Sequence, residues 1–189
     1  MTWQSFHSRG ETLRHVIAVA DRRRDGRLPL DVPGVAERFR DELELLGALA
    51  LRWHTRLSGR IEREQLREPD DLEGSVVRAW CATAQEMPGV LAILDAYRAD
   101  PPDAATAQAL ATARAKEHAM LAMTAGRASG TDRAAARVGA RIEERARAAY
   151  LAELAAPAVQ GGTADRGEPG ARRGQHGRLI DRIKAALAA

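Results

Sequence analysis

The chain has 189 residues, with 29 cations against 26 anions, 45% hydrophobic positions and only 4% aromatic ones. Alanine fills 39 of the hydrophobic positions, which leaves 46 large apolar side chains, enough for one domain with an appendage but not for two cores. Of the cations 27 are arginine, and this Ala/Arg/Gly-rich, Lys-poor balance is the mark of a high-GC coding bias, so part of the basic character is compositional.

Several classes fall away. The first seven residues lack the basic-then-apolar order of a secretion signal. The longest run without a polar residue, 45–51, is far shorter than the roughly 20 residues of a membrane helix. A lone cysteine, Cys81, makes neither an internal disulfide nor a Cys-x-x-Cys zinc site. A cytoplasmic protein is expected. No alternating apolar run of strand length occurs, so the fold class is all-α.

In chain order, Ser8 and Glu11 read as a capping box ahead of Leu13, Val16, Ile17 and Ala20 at helical spacing, with Gly26 as the stop. Two prolines in 28–33 predict an extended connector that lays Leu28, Leu30 and Val32 on the core, with Pro33 in the first turn of the next helix. That helix carries Val35, Phe39, Leu43, Leu46, Ala50, Trp53, Leu57 and Ile61 at steps of three and four, the strongest periodic signal in the chain. Gly59 threatens its far end and Pro69 terminates it. Asp70 or Asp71 caps a helix with Leu72, Val76, Val77 and Trp80. A short helix with Val90, Leu91, Ile93, Leu94 and Tyr97 follows, and then an Ala-rich one from Asp103 toward Gly126.

Past Gly126 the balance changes. Residues 1–126 hold 36 of the large apolar residues with 17 cations and 19 anions; residues 127–189 hold 10, with 12 cations and 7 anions. The expected architecture is therefore a compact helical bundle of four to five helices over 1–126, a basic Ala/Arg-rich helix over 127–156, a disordered Gly-rich linker over 157–177 and a short amphipathic docking segment over 178–189. The linker holds six glycines and Val159 as its one large apolar residue, too few to offset the entropy of ordering it.

Two places carry a functional expectation. In 178–189 the apolar residues Leu179, Ile180, Ile183 and Leu187 recur at helical spacing beside Arg178, Arg182 and Lys184, the pattern of a peptide that docks in a groove, on a partner or on its own body. On the preceding helix Arg133, Arg137, Arg141 and Arg145 form a slanted stripe about 18 Å long. The stripe reads first as a solvated face and second as a track for phosphates or an acidic surface. Glu143 and Glu144 dilute it, with Glu143 and Arg147 at the favourable i,i+4 spacing.

Catalytic signatures are missing: neither lysine follows a glycine, and neither Gly-x-Ser-x-Gly nor His-Glu-x-x-His occurs. A di-metal bundle needs Glu-x-x-His, which stands nowhere; Glu37, Asp41 and Glu44 on one helical face, or Glu117-His118 with His54, are the remaining sources of an irregular site. A helix-turn-helix is disfavoured because its second helix, 90–98, is almost wholly apolar. Cys81 reads as a small buried thiol. The expectation is a non-catalytic protein-interaction or regulatory adaptor without a cofactor, free of membrane and bound to a protein partner. Dimerisation through the long helix is compatible with the pattern. The alternatives are weak nucleic-acid association through the basic C-terminal helix and tail, or a cryptic metal- or cofactor-binding bundle.

Overall fold

The structure, a computed structural model, describes residues 3–156, with side chains from Arg9 onward. Seven helices are present among them: α1 (Trp3–Arg23), α2 (Val35–Arg38), α3 (Glu42–Arg67), α4 (Leu72–Glu86), α5 (Pro88–Ala99), α6 (Ala104–Thr124) and α7 (Arg133–Ala155). The fold is all-α, but the expected count of four to five helices plus a C-terminal one is corrected to seven. The expected linker and docking segment, 157–189, lie outside the described residues.

The extra helix comes from dividing the element that the sequence pattern joins. Gly34, at φ +88°, opens the one-turn α2, and Phe39 then turns extended at φ −121°, ψ 127°. Asp41 accepts from the Glu44 amide at 2.8 Å and starts α3 afresh. Phe39 is still buried, because the extended residue drops its ring onto the core while Arg9 covers it at 4.8 Å. Spacing by four thus survives a break in the helix. The same break corrects the shared face of Glu37, Asp41 and Glu44: Glu44 instead binds Arg9 at 2.8 Å and the Arg40 amide at 2.7 Å. Helix α1 begins at Trp3, so Ser8 is helical and no cap. The connector is a run of turns, closed by Val32 N–H to Pro29 O at 3.3 Å; it buries Leu28 and Val32 but leaves Leu30 46% exposed.

Aspartate caps recur because each carboxylate meets an orphan amide of a first turn. Asp71 takes Gly74 at 3.0 Å, Asp103 takes Thr106 at 2.7 Å and Asp132 takes Ala135 at 2.8 Å. Helix α3 runs unbroken through Gly59 and folds back as α4. Arg78, nearly buried, holds that corner against Glu68 at 2.8 Å and Asp71 at 2.9 Å. Trp53, Trp80 and Tyr150 chain edge to face, with centroids 5.9 and 6.2 Å apart, and so join α3, α4 and α7 in one core. No helix among the described residues is long and apolar enough to cross a membrane.

Candidate interaction face

Helix α7 packs on α6 and α4 through small residues, with Ala135, Gly139, Ala146 and Ala149 buried around Ile142. Gly139 sets the approach: a Cβ there would stand 1.7 Å from the carbonyl oxygen of His118. Only a bare glycine lets two backbones come so near. The closeness delivers Glu143, 2% exposed, into the core.

Glu143 is the hub of an ionic network. Its Oε2 lies 2.5 Å from His118 Nε2, and its Oε1 accepts from Arg147 Nε at 2.8 Å. Arg147 then grips Asp95 of α5 with two bonds, 2.8 and 2.7 Å, and stacks 5.1 Å above the Trp80 ring. Arg114 adds charge from 3.4 Å. Burial by itself raises the Glu143 carboxyl, but the His118 hydrogen bond and the charges of Arg147 and Arg114 outweigh it and bring the group down to about 2. Burial likewise works against the Arg147 charge, and the Asp95 and Glu143 oxygens overcome it, raising the guanidinium. Next to His118 in the chain, Glu117, also buried, accepts from Trp53 Nε1 at 3.2 Å. Burial raises its carboxyl, and the Glu143 charge adds to the effect.

Two carboxylates driven apart in this way resemble the pairing of a catalytic acid and base. Here the polar atoms are spent on one another, and three clefts at the surface, of about 540, 440 and 580 Å³, are lined by other residues. The network seats α7. Among the described residues no group of three His, Cys, Asp or Glu side chains is placed to hold a metal ion, so Glu117, His118 and His54 are not brought together as ligands. Burial pushes the Cys81 thiol up to about 12, and its Sγ donates to the Ala146 carbonyl at 3.4 Å. Helix α5, the reading helix of a would-be DNA-binding motif, buries Val90, Leu91, Ile93 and Leu94.

The opposite side of α7 faces solvent. Arg133, Arg137, Arg141 and Arg145 are all exposed, as the spacing predicts. Arg145 pairs with Glu73 of α4, which also takes Arg127 at 2.5 Å; Arg133, Arg137 and Arg141 have no ion-pair partner among the described residues. Between α4 and α7 the 540 Å³ cleft has apolar walls from Val138 and Ile142 beneath a mixed rim of Arg127, Arg141 and Arg145 with Glu73 and Glu144. Leu151 and Leu154 are 62% and 63% exposed, but at 100° per residue Leu151 falls in line with Arg133 and Leu154 on the side of Arg147, away from the cleft. The other sequence-predicted contact residues, Leu179, Ile180, Ile183 and Leu187, lie outside the described residues.

What the sequence reading missed is the inward turn of Glu143 and Arg147, taken as a surface pair. A signal was present: Glu143 follows Ile142 and precedes Ala146 by three, inside the apolar stripe rather than opposite it. No family model, curated protein or solved structure matches this chain.

Proposed function

We propose that the chain is a non-catalytic, cytoplasmic interaction module that presents the outward side of α7 to an acidic protein surface. The carrying observation is the exposed row of Arg133, Arg137 and Arg141, none with an ion-pair partner among the described residues. Arg141 stands beside a cleft that has apolar walls of Val138 and Ile142 and where Arg127 and Arg145 are held by Glu73. Charge alone suits a phosphate backbone equally well. The apolar walls of Val138 and Ile142 favour a protein, whose interfaces combine an apolar centre with a polar rim. The unpaired, buried Cys81 fits a reducing compartment.

The test is a full-length double variant, Arg137→Glu with Arg141→Glu. Both side chains are exposed, so folding should be retained, as circular dichroism would verify. A protein that the wild type captures from host extract, and that the double variant releases, supports the reading. Capture of nucleic acid in its place, released by the same variant and by moderate salt, refutes it in favour of backbone binding.

A further inference from the structure

A second surface feature has the opposite chemistry to α7. Between the start of α3 and the start of α6 lies a cleft of about 440 Å³. Leu43, Leu46, Pro102 and the Tyr97 ring give it an apolar floor, and Asp41, Glu42 and Asp103 give it an acidic rim. Arg40 compensates Asp41 at 3.1 Å. Glu42 and Asp103 have no cationic partner among the described residues; Glu42 accepts from the Tyr97 hydroxyl at 3.2 Å, and Asp103 caps α6. Two uncompensated carboxylates over an apolar floor call for an occupant that is apolar along one side and cationic at its edges.

The chain carries such a segment. Winding 178–189 at 100° per residue gathers Leu179, Ile180, Ile183 and Leu187 on one side, with Arg182 flanking it on one edge and Lys184 on the other. The exit point of the chain suits it as well. Helices α6 and α7 run antiparallel: Ala135 packs beside Ala122, Gly139 on His118, and Glu143 reaches Arg114. Each step up α7 is a step down α6, so the last turn of α7 falls level with Asp103 and Pro102, at the end of the bundle that holds the cleft. Neighbouring helices pack about 8–10 Å apart, and the 21 residues from 157 to 177 span roughly 25 Å as a Gly-rich chain. The segment reaches the cleft without strain.

We propose that residues 178–189 dock in cis on this cleft, apolar side against Leu43, Leu46 and Tyr97, with Arg182 and Lys184 toward Glu42 and Asp103. Because the contact is intramolecular, a weak peptide affinity suffices to hold it at the high effective concentration that the connecting chain provides. The cleft is then occupied by residues 178–189 of the same chain while the arginine side of α7 stays free.

The test uses the full chain with a nitroxide on Ala188→Cys. Cys81 is buried, so the introduced thiol takes the label. The expected result is selective broadening of the amides of Leu43, Leu46, Tyr97 and Thr106, with Arg137 and Arg141 sharp. It should be lost in Ile183→Asp, weakened at least threefold in Glu42→Lys, and restored when Glu42→Lys is combined with Arg182→Glu. A mixture of labelled and isotopically enriched chains separates the copies: broadening that appears only between molecules overturns cis docking in favour of a dimer contact. Broadening on another surface, or none at the cleft, overturns it outright and leaves the cleft for a basic peptide of another protein.

Discussion

Gly139→Ala tests whether α7 is held by close backbone approach. The new Cβ would start 1.7 Å from His118 O, 2.4 Å from its carbonyl carbon and 2.7 Å from its Cα, all backbone atoms without a rotamer to swing aside. Ordinary carbon–oxygen contact begins near ~3.3 Å, so the helices must part by about 1.5 Å or shear past one another. Overpacking of this kind costs about 1–3 kcal/mol. Parting α6 from α7 also stretches the His118–Glu143 contact, a charge-assisted bond worth about 1.5–3 kcal/mol. Against this, alanine returns about 1 kcal/mol of helix propensity. The net expectation is a loss of about 2–4 kcal/mol, or a melting temperature lower by roughly 5–15 °C. Gly47→Ala is the matched control: it lies exposed within α3 with nothing within 4 Å of a built Cβ, and should gain up to about 1 kcal/mol. Urea titration followed by the Trp53 and Trp80 fluorescence reads both variants. Gly139→Ala as stable as Gly47→Ala would refute the close-approach account of α7.

Three further outcomes follow from the network and its neighbours. The Glu143 carboxyl is lowered from 4.5 to about 2 in the folded chain, so its contribution is complete above the unfolded value and is lost as pH falls toward 2. That shift corresponds to about 3 kcal/mol, so Glu143→Gln should be less stable near neutrality, with the gap in urea midpoint narrowing from about pH 5 downward toward pH 2. The raised Glu117 group acts with the opposite sign, less so in Glu143→Gln, where the Glu143 charge that helps raise it is gone. A gap independent of pH would show that Glu143 does not act through its charge. Cys81 should resist an aromatic disulfide reagent in the native protein and react at the rate of unfolding when urea is added, since its thiol is raised to about 12 and bonded to Ala146; immediate stoichiometric reaction would contradict its burial. Arg78→Ala removes the cation between Glu64, Glu68 and Asp71 and should cost about 2–4 kcal/mol by the same urea assay, whereas Arg133→Ala, exposed and unpaired among the described residues, should stay within about 0.5 kcal/mol.

The legible part of the fold was the part written in side-chain periodicity. Leu46, Trp53, Leu57 and Ile61 face the core as their spacing requires, and the buried strip of α5 follows from its unbroken apolar run. Periodicity failed at Phe39, because a residue can keep a helical interval and still be extended when a turn restores the register before Asp41. It failed again at Glu143. Binary reading sends a glutamate to solvent, and only the arrival of His118 and Arg114 from α6, with Arg147 from the next turn of α7, makes its burial tolerable. Those partners stand 25, 4 and 29 residues away, and the Asp95 that completes the set stands 52 from Arg147. Of these only the i,i+4 Arg147 is local information. The exposed arginines were legible, since three steps of four residues place them on one side whatever the partner helix is. Their meeting with Arg127 and the apolar walls at the α4 junction was not.

Helix α7 joins the structural and the functional reading because its two sides obey different constraints. The inner side has almost no large apolar residues with which to hold on, and Ile142 is the only one fully buried. Small residues bring the backbone close, and the ionic network supplies orientation: an apolar seam alone would tolerate rotation of the helix about its axis, whereas Glu143 and Arg147 together reach α6 and α5 in a single rotational setting. Fixing that rotation also fixes which way Arg133, Arg137, Arg141 and Arg145 point. A cationic side presented at a set angle, rather than on a helix free to turn, is what an acidic partner with a shaped surface requires. Loosening the network from within should therefore weaken partner capture even though no arginine has been touched, and Glu143→Gln tested in the capture experiment distinguishes this from a purely local arginine effect. Full capture by that variant, despite reduced stability, would separate the seating of α7 from its recognition.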